Sequence, residues 1–187
     1  MKKLICLALL ICLSLTSCNF SLKKQENPVP LSDFLGYLMP KPDDWIYDFW
    51  IGDSLSGVDI YQYQVAQGGG GFYGRSPSEN SSEYIRYNQT AFFSGEHLYS
   101  YVHVIEITDP GVVIYGLSLN SDINEWFLLL EGMGYVMSKK YDIGSQSVSG
   151  RRDCFRISIT NYTDEKYKLV GRIWLYHDIP HAPEIIN

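Results

Sequence analysis

The pattern of apolar and polar residues predicts four strands along this chain. Residues 83–92 and 154–160 alternate with period two, and residues 98–107 and 169–177 are long runs rich in aromatic and β-branched side chains. Turn-forming residues separate them, including the Asp-Pro-Gly sequence that starts at Asp109. The pattern therefore predicts antiparallel strands joined by turns.

A helix is predicted over residues 122–131, because apolar side chains recur there at helical spacing. Asp122 and Glu125 have the spacing of a capping box at its start. Gly132 suits the left-handed residue that follows a helix.

The chain also contains an internal repeat. Residues 48–73 align with residues 112–137 at an offset of 64, which superposes two Gly-x-Ser-Leu segments that begin at Gly52 and Gly116. After a gap, the alignment continues at an offset of 70 through the strands that follow. The ordered set of matches indicates a duplicated unit.

The predicted fold is therefore α+β, with two tandem repeats that each pack a short helix on an antiparallel sheet. The repeats span residues 43–111 and 112–187. Each begins with a strand, at residues 49–51 or 113–115, and the first helix is predicted at residues 58–67, although this segment is rich in poor helix formers. Helices on one face of a sheet leave the other face available to a partner.

The N-terminus adds a cellular location to this picture. Two lysines precede an apolar stretch over residues 4–15, which suits a secretory signal and is too short to span a membrane. The stretch ends in Leu-Thr-Ser-Cys at Cys18, which resembles the signal box of bacterial lipoproteins. The resemblance implies that residues 1–17 are removed and that Cys18 is acylated, which anchors the protein in the cell envelope, with the outer membrane favoured. The alternative is an ordinary secretion signal with an incidental cysteine.

Residues 18–42 read as a tether between lipid and folded body, with a short helix possible over residues 32–38.

Once the signal peptide is removed and Cys18 is acylated, Cys154 is the one remaining cysteine, which excludes an intramolecular disulfide and a cysteine-rich metal site. The formal net charge of −6 argues against nucleic acid as a partner and leaves membrane contact to the lipid.

The order of elements resembles a known class of envelope domain. A strand, a Gly-x-Ser turn, a short helix closing on Gly-x-Gly and a meander of strands is similar to the SmpA/OmlA type of lipoprotein domain, which assists outer-membrane β-barrel assembly. A tandem pair of such units resembles the β-lactamase inhibitor protein fold, whose concave sheet grips another protein. The resemblance covers about residues 45–180 and implies a non-catalytic binding or assembly module.

A second interpretation is catalytic. Gly52-Asp-Ser-Leu matches the name-giving motif of a serine esterase superfamily, and Asp178 and His181 have the spacing of its remaining pair, with Ser54 as nucleophile. Against it, the chain shows hairpins rather than a parallel sheet and lacks an oxyanion block. The second Gly-x-Ser-Leu segment also has no such partners, so turn geometry explains both copies better.

Metal binding is a third, weaker interpretation. His177, Asp178, His181 and Glu184 lie close together in the sequence, but Pro180 prevents the helical spacing that would place both imidazoles on one face. A solvated C-terminal tail of acidic and basic residues is the favoured explanation, and we predict neither a metal nor another cofactor.

Tyrosines supply the candidate binding residues. Tyr84 and Tyr87 flank Arg86, and Tyr99 and Tyr101 share one face of a strand by period-two spacing. Aromatic and arginine side chains are enriched where proteins bind each other, which makes these five residues the predicted partner-binding set. Core packing and cross-strand pairing remain the alternative explanation.

Overall fold

The computed structural model describes residues 35–66, 71–94, 97–164 and 170–178. Together they form one eight-stranded antiparallel sheet and one α-helix, so the protein belongs to the α+β class. In chain order, the elements are the 3-10 turn Ile60–Gln62, β1 Gln64–Val65, β2 Gly71–Tyr73, β3 Ile85–Ser94, β4 His97–Ile107, α1 Ile123–Gly132, β5 Val136–Asp142, β6 Ser145–Arg152, β7 Phe155–Tyr162 and β8 Gly171–His177.

The sheet consists of two four-stranded meanders that meet at their last strands. The strand order is β1-β2-β3-β4-β8-β7-β6-β5. Residues 104–107 of β4 pair with residues 173–176 of β8 at the centre of the sheet. Consecutive strands of each meander are hydrogen-bonded neighbours, as antiparallel strands joined by turns can be.

Helix α1 lies where the sequence predicts it and begins with the predicted capping box. The Asp122 carboxylate accepts from the backbone N–H of Asn124 at 2.7 Å, and the Glu125 carboxylate accepts from the N–H of Asp122 at 3.1 Å. The prediction for the C-terminal end is wrong by two residues. Gly134 has the positive φ of 83°, whereas Gly132 is the last residue of the helix.

Helix α1 covers the core of the second meander. It contacts β5, β6 and β7 and buries Ile123, Trp126 and Leu130. The Trp126 ring is fully buried, and its Nε1 donates to the carbonyl of Ser118 at 3.0 Å, which ties the helix to the turn before it. A buried tryptophan needs a hydrogen-bond acceptor for its indole N–H, and the Ser118 carbonyl provides one.

The helix predicted over residues 58–67 is wrong. The chain forms the 3-10 turn Ile60–Gln62 and strand β1 there instead. Tyrosines and β-branched residues have low helix propensity, and this segment packs Val58, Ile60 and Tyr63 against the core without forming an α-helix. The segment before it covers the core of the first meander, with Trp45, Trp50 and Leu55 buried in the same cluster as Trp126.

Other boundaries also differ from the prediction. The strands predicted at residues 49–51 and 113–115 are irregular segments, because the chain turns sharply at each. Strands β5 and β6 have no predicted counterpart, since their serine- and lysine-rich sequences show little apolar alternation. Within the range predicted as a tether and possible short helix, residues 18–42, Leu35 is buried at 1% exposed.

Candidate binding face

One face of the sheet carries the hydrophobic core, and the other face is largely accessible. Strand β8 shows the division, because Ile173 and Leu175 are buried while Trp174 is 46% exposed. We call the second face the open face. It comprises Tyr73, Tyr84, Arg86, Glu106, Val136, Ser138, Lys140, Asp142, Ser147, Ser149, Arg151, Arg156, Ser158, Thr160, Arg172, Trp174 and Tyr176, with Asp178 at its margin.

A single row of cross-strand neighbours runs through the middle of the open face. Glu106 on β4 pairs with Arg86 on one side and with Trp174 on the other. Trp174 in turn pairs with Ser158. Directly opposed residues of antiparallel strands project to the same side, so these four side chains are neighbours on one surface.

Glu106 is the buried centre of this row. Its side chain is 9% exposed, and the Nε of Arg172 lies 3.1 Å from Oε1 while the terminal nitrogen of Arg86 lies 3.8 Å from Oε2. The Tyr84 hydroxyl donates to Oε1 at 3.3 Å, and burial followed by the charge of Glu106 raises the pKa of Tyr84. One carboxylate therefore faces two arginines, and the group carries a net positive charge.

A groove of about 590 Å³ lies over β5 to β8 on the open face. Trp174 and Tyr176 contribute its aromatic surface, and hydroxyl groups of Ser149 and Ser158 are hydrogen-bonded at 3.1 Å on its floor. Arg156 lies at one end. Its guanidinium contacts the Asp178 carboxylate at 2.6 Å and remains 53% exposed. The groove thus combines an aromatic surface, hydroxyls and a positioned arginine.

The structure places the predicted partner-binding residues in three settings. Tyr84 and Arg86 lie on the open face. Tyr87 and Tyr101 are 0% exposed, so neither presents a side chain to a partner. Tyr99 is partly exposed on β4. The spacing explains why Tyr84, just before β3, and Tyr87, within it, differ, because residues three apart in an extended chain project to opposite sides.

Strand β4 also departs from simple alternation. The register with β3 shifts between Asn88 and Gln89, so His103 is bulged out of the pairing. A bulge breaks the period-two rule on one strand, which is why sequence spacing alone misplaces the residues beyond it. Burial raises the pKa of Tyr101 to about 12, in keeping with its interior position.

The two Gly-x-Ser-Leu segments form matching turns. Gly52 and Gly116 both have positive φ, 88° and 79°. The hydroxyls of Ser54 and Ser118 each accept from the backbone N–H two residues later at 3.2 Å. The leucine after each serine is buried. Glycine is required for the backbone conformation and serine closes the turn, so both residues have structural roles.

The residues of the esterase interpretation lie in three settings. Ser54 is exposed, and its backbone forms an isolated antiparallel β-bridge with Tyr101 of β4. Asp178 is paired with Arg156 rather than with a histidine among the described residues. His181 lies outside the described residues, as do Pro180 and Glu184. The Ser54, Asp178, His181 triad therefore stays a prediction.

His177, the first residue of the metal interpretation, is buried and fully engaged. Its Nε2 lies 2.6 Å from the carbonyl of Leu35, and its Nδ1 lies 3.4 Å from the Tyr101 hydroxyl. A carbonyl only accepts, so Nε2 carries the proton and Nδ1 accepts from tyrosine. Burial lowers the pKa of His177. No group of three or more potential metal ligands occurs among the described residues.

Sequence reasoning missed three central residues of the open face, Glu106, Arg172 and Trp174. The alternation Arg-Ile-Trp-Leu-Tyr-His in β8 contains the signal, since isoleucine and leucine occupy one face and arginine, tryptophan and tyrosine the other. Tryptophan and tyrosine also suit a core, which hides the polarity of the second face. Glu106 stands in an otherwise apolar run whose register depends on the bulge.

Comparison with protein-family models, with curated proteins and with solved structures gave no match. Within the described ranges, no helix is both long and apolar enough to cross a membrane. Cys18 and the predicted signal peptide lie outside those ranges.

Proposed function

We propose that this chain is a lipid-anchored protein of the bacterial cell envelope that binds another protein through the open face of its sheet and catalyses no reaction. The observation that supports this best is the exposure of Trp174 and Arg156 beside a groove. Tryptophan, tyrosine and arginine dominate the energetics of protein interfaces. A half-exposed tryptophan in the middle of a sheet face also loses apolar contact with water when a partner covers it.

The arrangement of strands supports descent from a duplicated unit. Strands β3 and β7 begin at Ile85 and Phe155, and strands β4 and β8 end at Ile107 and His177. Both pairs differ by 70 residues, the offset of the sequence repeat. The proposed units are residues 43–111 and 112–187. The first differs from the second in having no α-helix among its described residues.

The proposed duplication accords with the resemblance of the sequence, in its order of elements and a few glycines, to SmpA/OmlA-type domains and, in tandem, to the β-lactamase inhibitor protein fold. The similarity suggests the use of a sheet face to grip another protein, and the open face offers such a surface. Attachment would come from acyl chains on Cys18, with the outer membrane as the favoured membrane. Cys18→Ser is expected to move the protein from the membrane fraction to the soluble fraction, and unchanged membrane attachment would contradict the anchor.

Site-specific photo-cross-linking in the cells that carry this chain tests the binding face. A photoreactive phenylalanine analogue at position 174 should give a discrete cross-linked species. The same analogue at position 128 is the matched control, because Leu128 is 65% exposed on α1, away from the open face. Cross-links at 128 and none at 174, or none at either, would contradict the proposal.

A further inference from the structure

The charges on the open face are opposite in sign to the charge of the whole chain. The chain carries a formal net charge of −6. Basic side chains outnumber acidic ones on the open face: Arg86, Lys140, Arg151, Arg156 and Arg172 stand against Glu106, Asp142 and Asp178. A cationic surface on an acidic protein favours anionic groups at short range, because potentials at interfaces are complementary.

The arginines at the groove are held in place and still accessible. Asp178 contacts one terminal nitrogen of Arg156 at 2.6 Å, which fixes the guanidinium while about half of the side chain stays exposed. The Nε of Arg151 donates to the carbonyl of Asp153 at 3.2 Å. A guanidinium has five N–H donors, so each arginine retains donors for an incoming carboxylate.

Trp174 lies between these arginines and the Glu106 group. Its cross-strand neighbours are Glu106 and Ser158, and Arg172 and Tyr176 flank it on the same face of β8. The ring therefore offers an apolar surface with positive charge on both sides. A ligand that fits has an apolar or aromatic side chain with carboxylates close to it in sequence.

We propose that the groove over β5 to β8 binds an acidic polypeptide segment of the partner, with carboxylates on Arg151 and Arg156 and an apolar side chain on Trp174. This inference rests on the proposed function, since it names the chemistry of the partner at the same face. Nucleic acid fits the groove less well. Asp178 and Glu106 interrupt the positive charge, so the arginines form separate sites for single carboxylates and not a continuous cationic track along a phosphate backbone.

Trp174 also provides the assay. The other three tryptophans, Trp45, Trp50 and Trp126, are 5%, 2% and 0% exposed, so collisional quenching by acrylamide reports mainly on position 174. The probe is a random copolymer of glutamate and tyrosine, added to the full-length protein in neutral detergent. Binding should protect Trp174 from acrylamide, and Trp174→Phe should remove the signal.

Charge variants identify the contacts. The double variant Arg151→Gln, Arg156→Gln should bind the copolymer about tenfold more weakly, which corresponds to about 1.4 kcal/mol. Lys41→Gln, an exposed basic residue outside the open face, should bind as the unaltered protein does. Salt at about 1 M, where the Debye length is about 3 Å, should weaken binding to the unaltered protein. Ser138→Glu adds a negative charge at the rim of the groove and should also weaken binding, which keeps the test valid if the double variant is unstable.

Three results would overturn the inference. They are the absence of protection by the copolymer, equal binding by the double variant and Lys41→Gln, and equal or tighter binding of a single-stranded DNA of matched charge. If the analogue at position 174 forms cross-links in cells while the copolymer fails to bind, the proposed binding face is supported and the proposed acidic partner is contradicted. If no cross-link forms at position 174, the proposed function itself falls.

Discussion

Ile105 on β4 pairs directly with Leu175 on β8, and these two residues are 70 positions apart in the chain. The same offset aligns the strands of the two proposed units. When two copies of a unit are arranged about a two-fold axis perpendicular to a sheet, the residue at the axis faces its own counterpart. Ile105 and Leu175 satisfy this condition, and both are 0% exposed.

The same offset relates the arginines of the open face. Arg86 and Arg156 are each the second residue of their strand, and each contacts a carboxylate. The carboxylates differ, because Glu106 is buried at the centre of the face whereas Asp178 lies at its margin. The two arginines therefore stand in different charge arrangements, and the pair with Asp178 leaves its arginine the more exposed of the two.

The matching Gly-x-Ser-Leu turns predict a graded response to alanine. Gly116→Ala should lower the free energy of unfolding by about 1–2 kcal/mol, because φ is 79° and the new Cβ meets no neighbour. Gly52→Ala should cost more, since its Cβ would also lie 2.5 Å from Leu38 Cδ1. Gly132→Ala in α1 is the control and should be neutral or stabilising by about 0.5–1 kcal/mol. Urea denaturation measures all three, and an equal effect at the three positions would contradict the turn geometry.

Removing the charge of Glu106 should destabilise the protein. Glu106→Gln leaves Arg86 and Arg172 facing each other without a carboxylate, and we expect a loss of about 1–3 kcal/mol in the free energy of unfolding. Asp142→Asn removes an equivalent charge from an exposed pair with Lys140 and should cost less than about 1 kcal/mol. Equal losses in the two variants, measured by denaturant unfolding, would show that Glu106 has no special role.

How much of this architecture the sequence predicts depends on the local signal in each element. Helix α1 is predicted because its cap and apolar spacing agree, and its anchor Trp126 lies on that apolar face. Strand β5 is not predicted, because its sequence Val-Met-Ser-Lys-Lys-Tyr-Asp shows no apolar face. The position of this strand in the sheet depends on its pairing with β6. Tyr87 and Trp174 show the same limit in side chains: aromatic residues suit both core and interface, and only the register decides which.

Replacement of Ser54 separates a structural serine from a catalytic one. Ser54→Ala removes one hydrogen bond to a backbone N–H, so it should lower the free energy of unfolding by about 1 kcal/mol and leave reactivity toward a serine-directed probe unchanged. Ser118→Ala is the matched control, because its hydroxyl makes the same contact in the second turn. Loss of probe labelling or ester hydrolysis in Ser54→Ala alone would establish the esterase function in place of the one proposed.

The buried His177 predicts a stability that falls on mild acidification. Burial is the main cause of its lowered pKa, and the hydrogen bond to the Leu35 carbonyl, followed by the nearby charges of Asp178 and Asp153, opposes this only in part. The unfolded chain, with a histidine pKa of about 6.5, binds a proton before the folded protein does. The contribution of neutral His177 is therefore complete above pH 6.5 and is lost as the pH falls from there through the lower folded pKa.

His103, whose pKa burial also lowers, adds to this effect. Each histidine can contribute a slope of up to about 1.4 kcal/mol per pH unit. We expect the free energy of unfolding to drop as the pH falls from 7.5 to 5.5. This interval lies above the range in which exposed carboxylates titrate. His177→Gln can still donate to the Leu35 carbonyl but does not titrate, so its stability should depend less steeply on pH. Parallel pH curves for the two proteins would mean that His177 takes up its proton equally well in the folded state.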